Sequence, residues 1–191
     1  MQLVFATGNK HKAQEVEAIL NAAGLELEVL TYEGGEPIES GVSFLENALI
    51  KAKAAFAATG KPSFADDSGI AVEVMGGSPG IFSAIWSGSK NDKVNRDLLL
   101  AQLIDIPQEH RTAAFICTIA LVDENTEISF TGVWPGRIAF EESGQNGFGY
   151  DSIFTPEGFE ISAAELDPEV KNSISHRSMA LNQLAQYLKG L

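Results

Sequence analysis

Four short segments carry residue types whose spacing could do phosphate and metal chemistry. The first is Thr7-Gly8-Asn9-Lys10-His11-Lys12. It follows an apolar run and opens a helical pattern, so backbone N–H groups, a positive helix end and lysines can converge on phosphate. Gly8 permits close backbone approach, and Thr7 and Asn9 add polar side chains. The segment is no Walker loop, since Gly-x-x-x-x-Gly-Lys-Ser/Thr is absent. A Gly–Asn turn serves equally as a plain strand-to-helix connection. The second segment, Asp66-Asp67-Ser68-Gly69, sets adjacent acids in a stretch patterned as strand, where one of the two would normally face the core. A magnesium site accounts for them, because that ion takes one or two carboxylates and leaves its other positions to water and phosphate oxygens. An Asx turn between two strands is the alternative. Glu39, just ahead of a capping box, is a candidate second ligand.

The third segment, Gly147-Phe148-Gly149-Tyr150-Asp151, brackets an aromatic ring with glycines. An accessible ring in a tight loop suits stacking on a planar base, and an aromatic plug over the core is the alternative. The fourth, Lys171-Asn172-Ser173-Ile174-Ser175-His176-Arg177, puts cations at the expected start of the last helix. The helix dipole disfavours them there, and a bound anion would offset that cost. A solvated helix start capped by Ser173 is the bland reading. His176 is the one histidine in such a cluster; His11 and His110 read as surface residues.

Those segments need elements to hold them. Gln2 to Ala6 reads as a strand, Thr7 to Asn9 as a turn, and a helix follows from Lys12, with Ala13, Val16, Ile19, Leu20 and Ala23 on one face. Gly24 ends it and Leu25 to Leu30 reads as a second strand. Ser43-Phe44-Leu45-Glu46 has the form of a capping box for a helix to about Ala58. Ser63–Ala65 and Ile70–Val74 read as strand around the tandem acids, and Gly76 to Gly80 as a turn. Asp92 to Ile104 reads as a helix. Thr112–Val122 and Glu127–Gly132 read as a hairpin of a second lobe, and a final helix as running from Ser173 to Leu188. The order strand, turn, helix, strand predicts an α/β core.

A chain of 191 residues fits one domain, here taken as 1–191, with room for a substantial core. No apolar run approaches the roughly 18 residues of a membrane span, and the N-terminus lacks signal-peptide character. The single cysteine, Cys117, lies in an apolar run and reads as core, so no disulfide framework exists. These features predict a cytoplasmic protein. A formal net charge of −13 argues against nucleic acid as a partner. It also means that a polyanionic substrate requires a local pocket of lysines and a divalent cation.

Taken in order, the motifs resemble the inosine and xanthosine triphosphate pyrophosphatases. The match comprises Ala6-Thr7-Gly8-Asn9 with Lys12 and Glu15, Phe44-x-Glu46-Asn47-Ala48 with Lys51-Ala52, Ala65-Asp66-Asp67-Ser68-Gly69, Gly77-x-Pro79-Gly80, Trp134-Pro135-Gly136, Gly147 to Asp151 and Ser175-His176-Arg177. The resemblance implies an α/β fold with a two-lobed mixed sheet, flanking helices and a central substrate cleft. It implies Mg2+-dependent cleavage of ITP, dITP or XTP to monophosphate and pyrophosphate by a homodimer. By similarity, Asp67 accepts the proton from water and shares the metal with Glu39. Thr7, Gly8, Asn9, Lys10, His11, Lys12, Lys51 and Lys171 surround the triphosphate, and Ser68 contacts substrate. Phe148 stacks on the base within Gly149-Tyr150-Asp151, and Asp151, His176 and Arg177 lie around its edge. Arginine is donor-only, so Arg177 can pair with a 6-keto oxygen and not with a 6-amino group. One position departs from the family pattern: Ile85 stands in Ser83-Ala84-Ile85-Trp86, where arginine is usual. A nucleotide-binding sensor without catalysis and a pyrophosphatase for other modified or pyrimidine nucleotides are the competing readings.

Overall fold

The computed structural model describes residues 2–24, 28–32, 34–35 and 37–190, and for Lys10 the backbone alone. The elements in chain order are β1 (Gln2–Phe5), α1 (Lys10–Ala22), β2 (Glu28–Thr31), α2 (Phe44–Thr59), β3 (Ser63–Val72), α3 (Asp92–Gln102), β4 (Thr112–Val122), β5 (Glu127–Ile138), β6 (Phe154–Pro156), α4 (Pro168–Ile174) and α5 (His176–Lys189). The strands form one sheet in the order β2-β1-β3-β4-β5-β6. β1 runs parallel to β2 and β3, and β5 antiparallel to β6. This is the mixed α/β sheet with flanking helices expected from the sequence.

The chain divides into two compact units, Met1–Asp67 with Cys117–Gly132 and His176–Leu191, and Ser68–Ile116 with Val133–Ser175. In the first unit, strand alternation sorts side chains onto two faces. Leu3, Phe5 and Phe64 join Val16, Ile19 and Leu20 of α1 and Leu181, Leu184 and Leu188 of α5 in one cluster. Val4, Ala6 and Ala65 join Ala48, Ala52 and Ala55 of α2 in another. The alanine stripe keeps α2 close to the sheet. In the second unit Trp134 meets Phe154 edge to face at 5.4 Å, within a core that includes Ile70, Leu99, Leu103 and Ile138. The fully buried Arg111 gives its guanidinium N–H groups to the carbonyls of Leu103, Ile106, Ile138 and Ala139. Burial among these uncharged acceptors lowers its pKa.

Several boundaries differ from the sequence expectation, and β5 runs past the expected end at Gly132 to Ile138. α1 starts at Lys10, because the Asn9 side chain caps it by accepting from His11 N and Lys12 N. β3 runs unbroken through Asp66-Asp67-Ser68-Gly69, so the tandem acids are strand residues and not an Asx turn. The expected hairpin is no separate lobe, since β4 and β5 each pass from one unit into the other. The final helix is two helices: Asp167 and Pro168 start α4, Ser175 interrupts it in an extended conformation, and α5 begins at His176. The part of the second strand at residues 25–27 lies outside the described residues.

Candidate active site

Because neighbours on a strand point to opposite faces, the tandem acids of β3 continue the alternation of Phe64 and Ala65. Asp66 follows Phe64 toward α1 and α5. Its Oδ2 lies 2.9 Å from Lys12 Nζ and 3.5 Å from Arg177 Nη2. Cys117 Sγ stands 3.9 Å from the same oxygen. Asp67 follows Ala65 toward α2. Its Oδ2 accepts from Asn47 Nδ2 at 3.2 Å, and its Oδ1 lies 3.6 Å from Lys51 Nζ. Lys51 also donates to Glu39 Oε1 at 2.7 Å. Glu15 on α1 binds Arg177 Nη1. Asp66 is 2% exposed and Asp67 7%, so two buried acids are accommodated only because cations reach each of them.

Electrostatics separates the two acids' partners. Burial raises the Asp67 carboxyl above its ordinary range; Lys51, Lys12 and the Asn47 hydrogen bond pull it back, while Glu39 pushes it further up. Burial pulls the Lys51 ammonium down, but Asp66, Asp67 and Glu39 outweigh burial and leave it above its usual value. Arg177 is desolvated too, yet Asp66 and Glu15 more than compensate and hold it fully charged.

The loop after β1 satisfies itself. Thr7 Oγ1 accepts from Asn9 N at 3.2 Å, and Asn9 Oδ1 takes the N–H groups of His11 and Lys12. Asn9 is therefore the N-cap of α1, and Thr7 holds the backbone of that cap. Gly8 and His11 are exposed, and the side chain of Lys10 lies outside the described residues. Ser68 is half-buried on β3, and His176 is buried in the first turn of α5.

In the second unit the loop from Gly147 to Asp151 closes on its own acid. Asp151 Oδ2 accepts from Phe148 N at 2.9 Å and from Lys171 Nζ at 2.8 Å. The Lys171 ammonium also stands 5.5 Å from the centroid of the Phe148 ring. A Cβ on Gly147 would collide with the Asp151 carboxylate, and Gly149 has φ +60°, so both positions exclude other residues. Tyr150 is buried, its hydroxyl donating to Ser83 O at 2.7 Å, and burial raises its pKa. It reads as an anchor for the loop. Ile85 lies on the surface in the 3-10 segment Gly80–Ile85.

The structure thus gathers Lys12, Glu39, Lys51, Asp67 and Arg177 in the first unit, and Phe148, Tyr150, Asp151 and Lys171 in the second. Lys171 pairs with Asp151 beside Phe148, where sequence reading had it among the phosphate lysines. It occupies the last turn of α4, a position that the helix dipole favours. Sequence reasoning named Asn47 and Glu15 only as motif residues, and it offered Asp66 with Asp67 as a metal-site acid, where the structure pairs Asp66 with Lys12 and Arg177. Asn47 carried a signal, since it is a polar residue on the buried alanine face of α2. Glu15 carried no local signal, because its partner lies 162 residues away; only the resemblance marked it.

Among the described residues, no group of three or more His, Cys, Asp or Glu side chains is arranged to hold a metal ion. Glu39 and Asp67 nevertheless flank one ammonium group. Two carboxylates that can share one cation fit an ion that keeps water and phosphate oxygens in its other positions.

A mixed-sheet α/β protein with a buried carboxylate–lysine centre is the class these features define. The chain belongs to the Ham1 family, whose model matches residues 3–187. It is 49% identical over 193 residues to the dITP/XTP pyrophosphatase of Leifsonia xyli subsp. xyli, covering 100% of this chain and 97% of that one. It is 46% identical over 196 residues to the dITP/XTP pyrophosphatase of Mycobacterium tuberculosis, covering 100% and 96%. Among solved structures it is similar to a HAM1 protein from Coxiella burnetii, with TM-score 0.91, 37% identity and full coverage of both chains. Among the described residues, no helix is long and apolar enough to cross a membrane.

Proposed function

We propose that residues 1–191 form a single pyrophosphatase domain that hydrolyses dITP, ITP and XTP to the monophosphate and pyrophosphate, with magnesium as cofactor. The observation that carries this reading is the buried Asp67, held by Asn47 and faced by Lys51 beside Glu39. Phosphoanhydride hydrolysis asks mainly for positioning and charge stabilisation. Asp67 accepts the proton of the attacking water, and Asn47 fixes the carboxylate's rotamer. Lys12 and Lys51 offset phosphate charge, and a shift of the Lys51 ammonium from carboxylate to phosphate uncovers Glu39 and Asp67 together. Those two carboxylates would hold the magnesium ion, which when bound supplies charge neutralisation to the phosphates. Thr7, Gly8, Asn9, Lys10 and His11 complete the phosphate loop, and Ser68 contacts substrate.

For the base, Phe148 stacks on the purine, while Gly149, Tyr150, Asp151 and Lys171 shape and fix that loop. His176 and Arg177 line the edge of the base, and the donor-only Arg177, oriented by Glu15 and Asp66, selects the 6-keto group. We also propose that the enzyme is cytoplasmic, where nucleotide pools lie. We propose further that it is a homodimer, supported by large apolar side chains exposed on the second unit such as Phe82 and Phe140. Light scattering at twice the protomer mass would bear that out.

The decisive experiment follows pyrophosphate and orthophosphate released from dITP, ITP, XTP, GTP and ATP, with and without magnesium. Pyrophosphate from dITP, ITP and XTP only with the ion is the expected result. Orthophosphate release would move the cut to another bond, and binding without turnover would make the chain a nucleotide sensor.

A further inference from the structure

Next to the base-stacking loop, α3 carries two charged side chains that the reaction does not use. Asp92 and Arg96 sit four residues apart, on one face of the helix. Asp92 Oδ2 accepts from Gly149 N at 2.9 Å, and Arg96 Nη1 donates to Gly149 O at 2.7 Å. Both backbone groups of one residue are thus taken by one helix. Arg96 is itself held, because its Nε donates to Glu142 Oε2 at 2.9 Å. That same oxygen accepts from Ser152 Oγ at 3.0 Å, at the far end of the loop. Asp92 lies in the first turn of α3, which is capped by Asn91, so its charge also suits the helix dipole.

The residue so clamped adjoins Phe148. Gly149 has a left-handed backbone, and a turn of that kind changes the direction of the ring with small changes in its dihedrals. Asp151 holds the N–H of Phe148, and α3 holds both backbone groups of the next residue, Gly149. We propose that Asp92 and Arg96 are positioning residues for base recognition, fixing through Gly149 the angle at which Phe148 presents its ring to a planar base. The proposal rests on the reading of Phe148 as the stacking residue. Neither side chain meets the substrate. The clamp meets the cost of ordering the loop before the nucleotide arrives, and it strengthens ground-state and transition-state binding alike. Its loss therefore appears in KM and leaves kcat alone.

The test uses the full chain with magnesium and dITP, and inorganic tripolyphosphate as a competitive probe that carries phosphates and no base. Arg96→Leu and Asp92→Ala are each expected to raise KM for dITP by roughly tenfold, with kcat within about twofold and the tripolyphosphate Ki unchanged. Asp92→Asn, which keeps a carbonyl oxygen for Gly149 N–H, restores most of the affinity. In a Phe148→Ala background Arg96→Leu adds nothing further, as expected if it acts only through the ring. An unchanged KM in a variant with native circular dichroism overturns the proposal. So does a tripolyphosphate Ki that rises in step with KM, or additivity with Phe148→Ala. Should Arg96→Leu fail to fold, the Asp92→Ala and Asp92→Asn pair decides by the same readouts. If Phe148→Ala itself leaves KM unchanged, the stacking role falls and this proposal with it. If only the α3 variants are silent, stacking stands and the clamp alone is refuted.

Discussion

Each unit of this chain buries a lysine against an aspartate, and the two arrangements differ in stoichiometry. In the second unit Lys171 and Asp151 form a closed pair at 2.8 Å, with side chains 7% and 5% exposed. There the Lys171 ammonium and the Phe148 N–H converge on one carboxylate oxygen, Asp151 Oδ2. In the first unit Lys12, Lys51 and Arg177 face four carboxylates, Glu15, Glu39, Asp66 and Asp67. Among the described residues no one-to-one pairing satisfies that set, and at Asp67 burial raises the pKa, with the neighbouring Glu39 adding to the rise. A matched pair rigidifies a loop. A cluster with excess negative charge is poised to take a cation and, with it, the phosphates that the lysines then face.

The largest expected effect breaks the reactive half of this comparison. Asp67→Asn removes the proton acceptor and a metal ligand while keeping the side-chain shape. Its kcat is expected to fall by about 10³-fold or more, read as pyrophosphate release under saturating nucleotide, with the circular dichroism spectrum preserved. Activity within tenfold of the parent would remove Asp67 from the chemistry.

Next comes the rigid half. Lys171→Met leaves Asp151 buried without its cation, and breaking such a pair costs about 3–5 kcal/mol. Urea unfolding should show this loss, whereas Lys171→Met with Asp151→Leu together should recover much of it. Should the single variant unfold no earlier than the parent, the pair is not what holds the loop.

Much of the first unit was legible in the sequence, and the reasons are local. Ser43 caps α2 as expected, its Oγ accepting from Glu46 N, while Glu46 Oε2 reaches back one residue further, to Val42 N. The tandem acids stood out because strand patterning and charge conflict, and that conflict marked the site. The same segment misled about its backbone: Asp-Asp-Ser-Gly carries strong turn chemistry, yet β3 continues through it, because Lys12, Arg177 and Lys51 supply the counter-charges that let acids sit in a central strand. Those partners come from three helices, and no local spacing discloses them. The grouping of Lys171 with Phe148 was hidden for the opposite reason. The sequence reads as one final helix from Ser173 to Leu188, and the extended Ser175 that ends α4 before α5 begins has no sequence mark beyond a serine.

Base choice sharpens the comparison further. If Arg177, held by Glu15 and Asp66, selects the 6-keto edge, then Arg177→Ala should lower the dITP-over-ATP ratio in kcat/KM by roughly 10–100-fold. The matching Lys171→Met variant should weaken both nucleotides without changing their ratio. A ratio unmoved by Arg177→Ala would assign that arginine to the carboxylate cluster alone.

The smallest effect tests the imbalance itself. Burial raises the Asp67 carboxyl above its ordinary 3.8, so the folded state holds that proton more tightly than the unfolded chain does. Its contribution to stability is complete below the unfolded value and is lost as pH rises through the higher folded value. In metal-free protein, Asp67→Asn avoids that loss. The melting temperature of the variant should therefore match the parent near pH 4 and exceed it by about 1–3 °C at neutral pH. Magnesium should reverse the order, because the ion binds the ionised Asp67 of the parent and finds no anion in the variant. A gap that ignores pH would mean that Asp67 is ionised at no cost to the fold. A gap that ignores magnesium would mean that the excess negative charge of the first unit is not there for a metal.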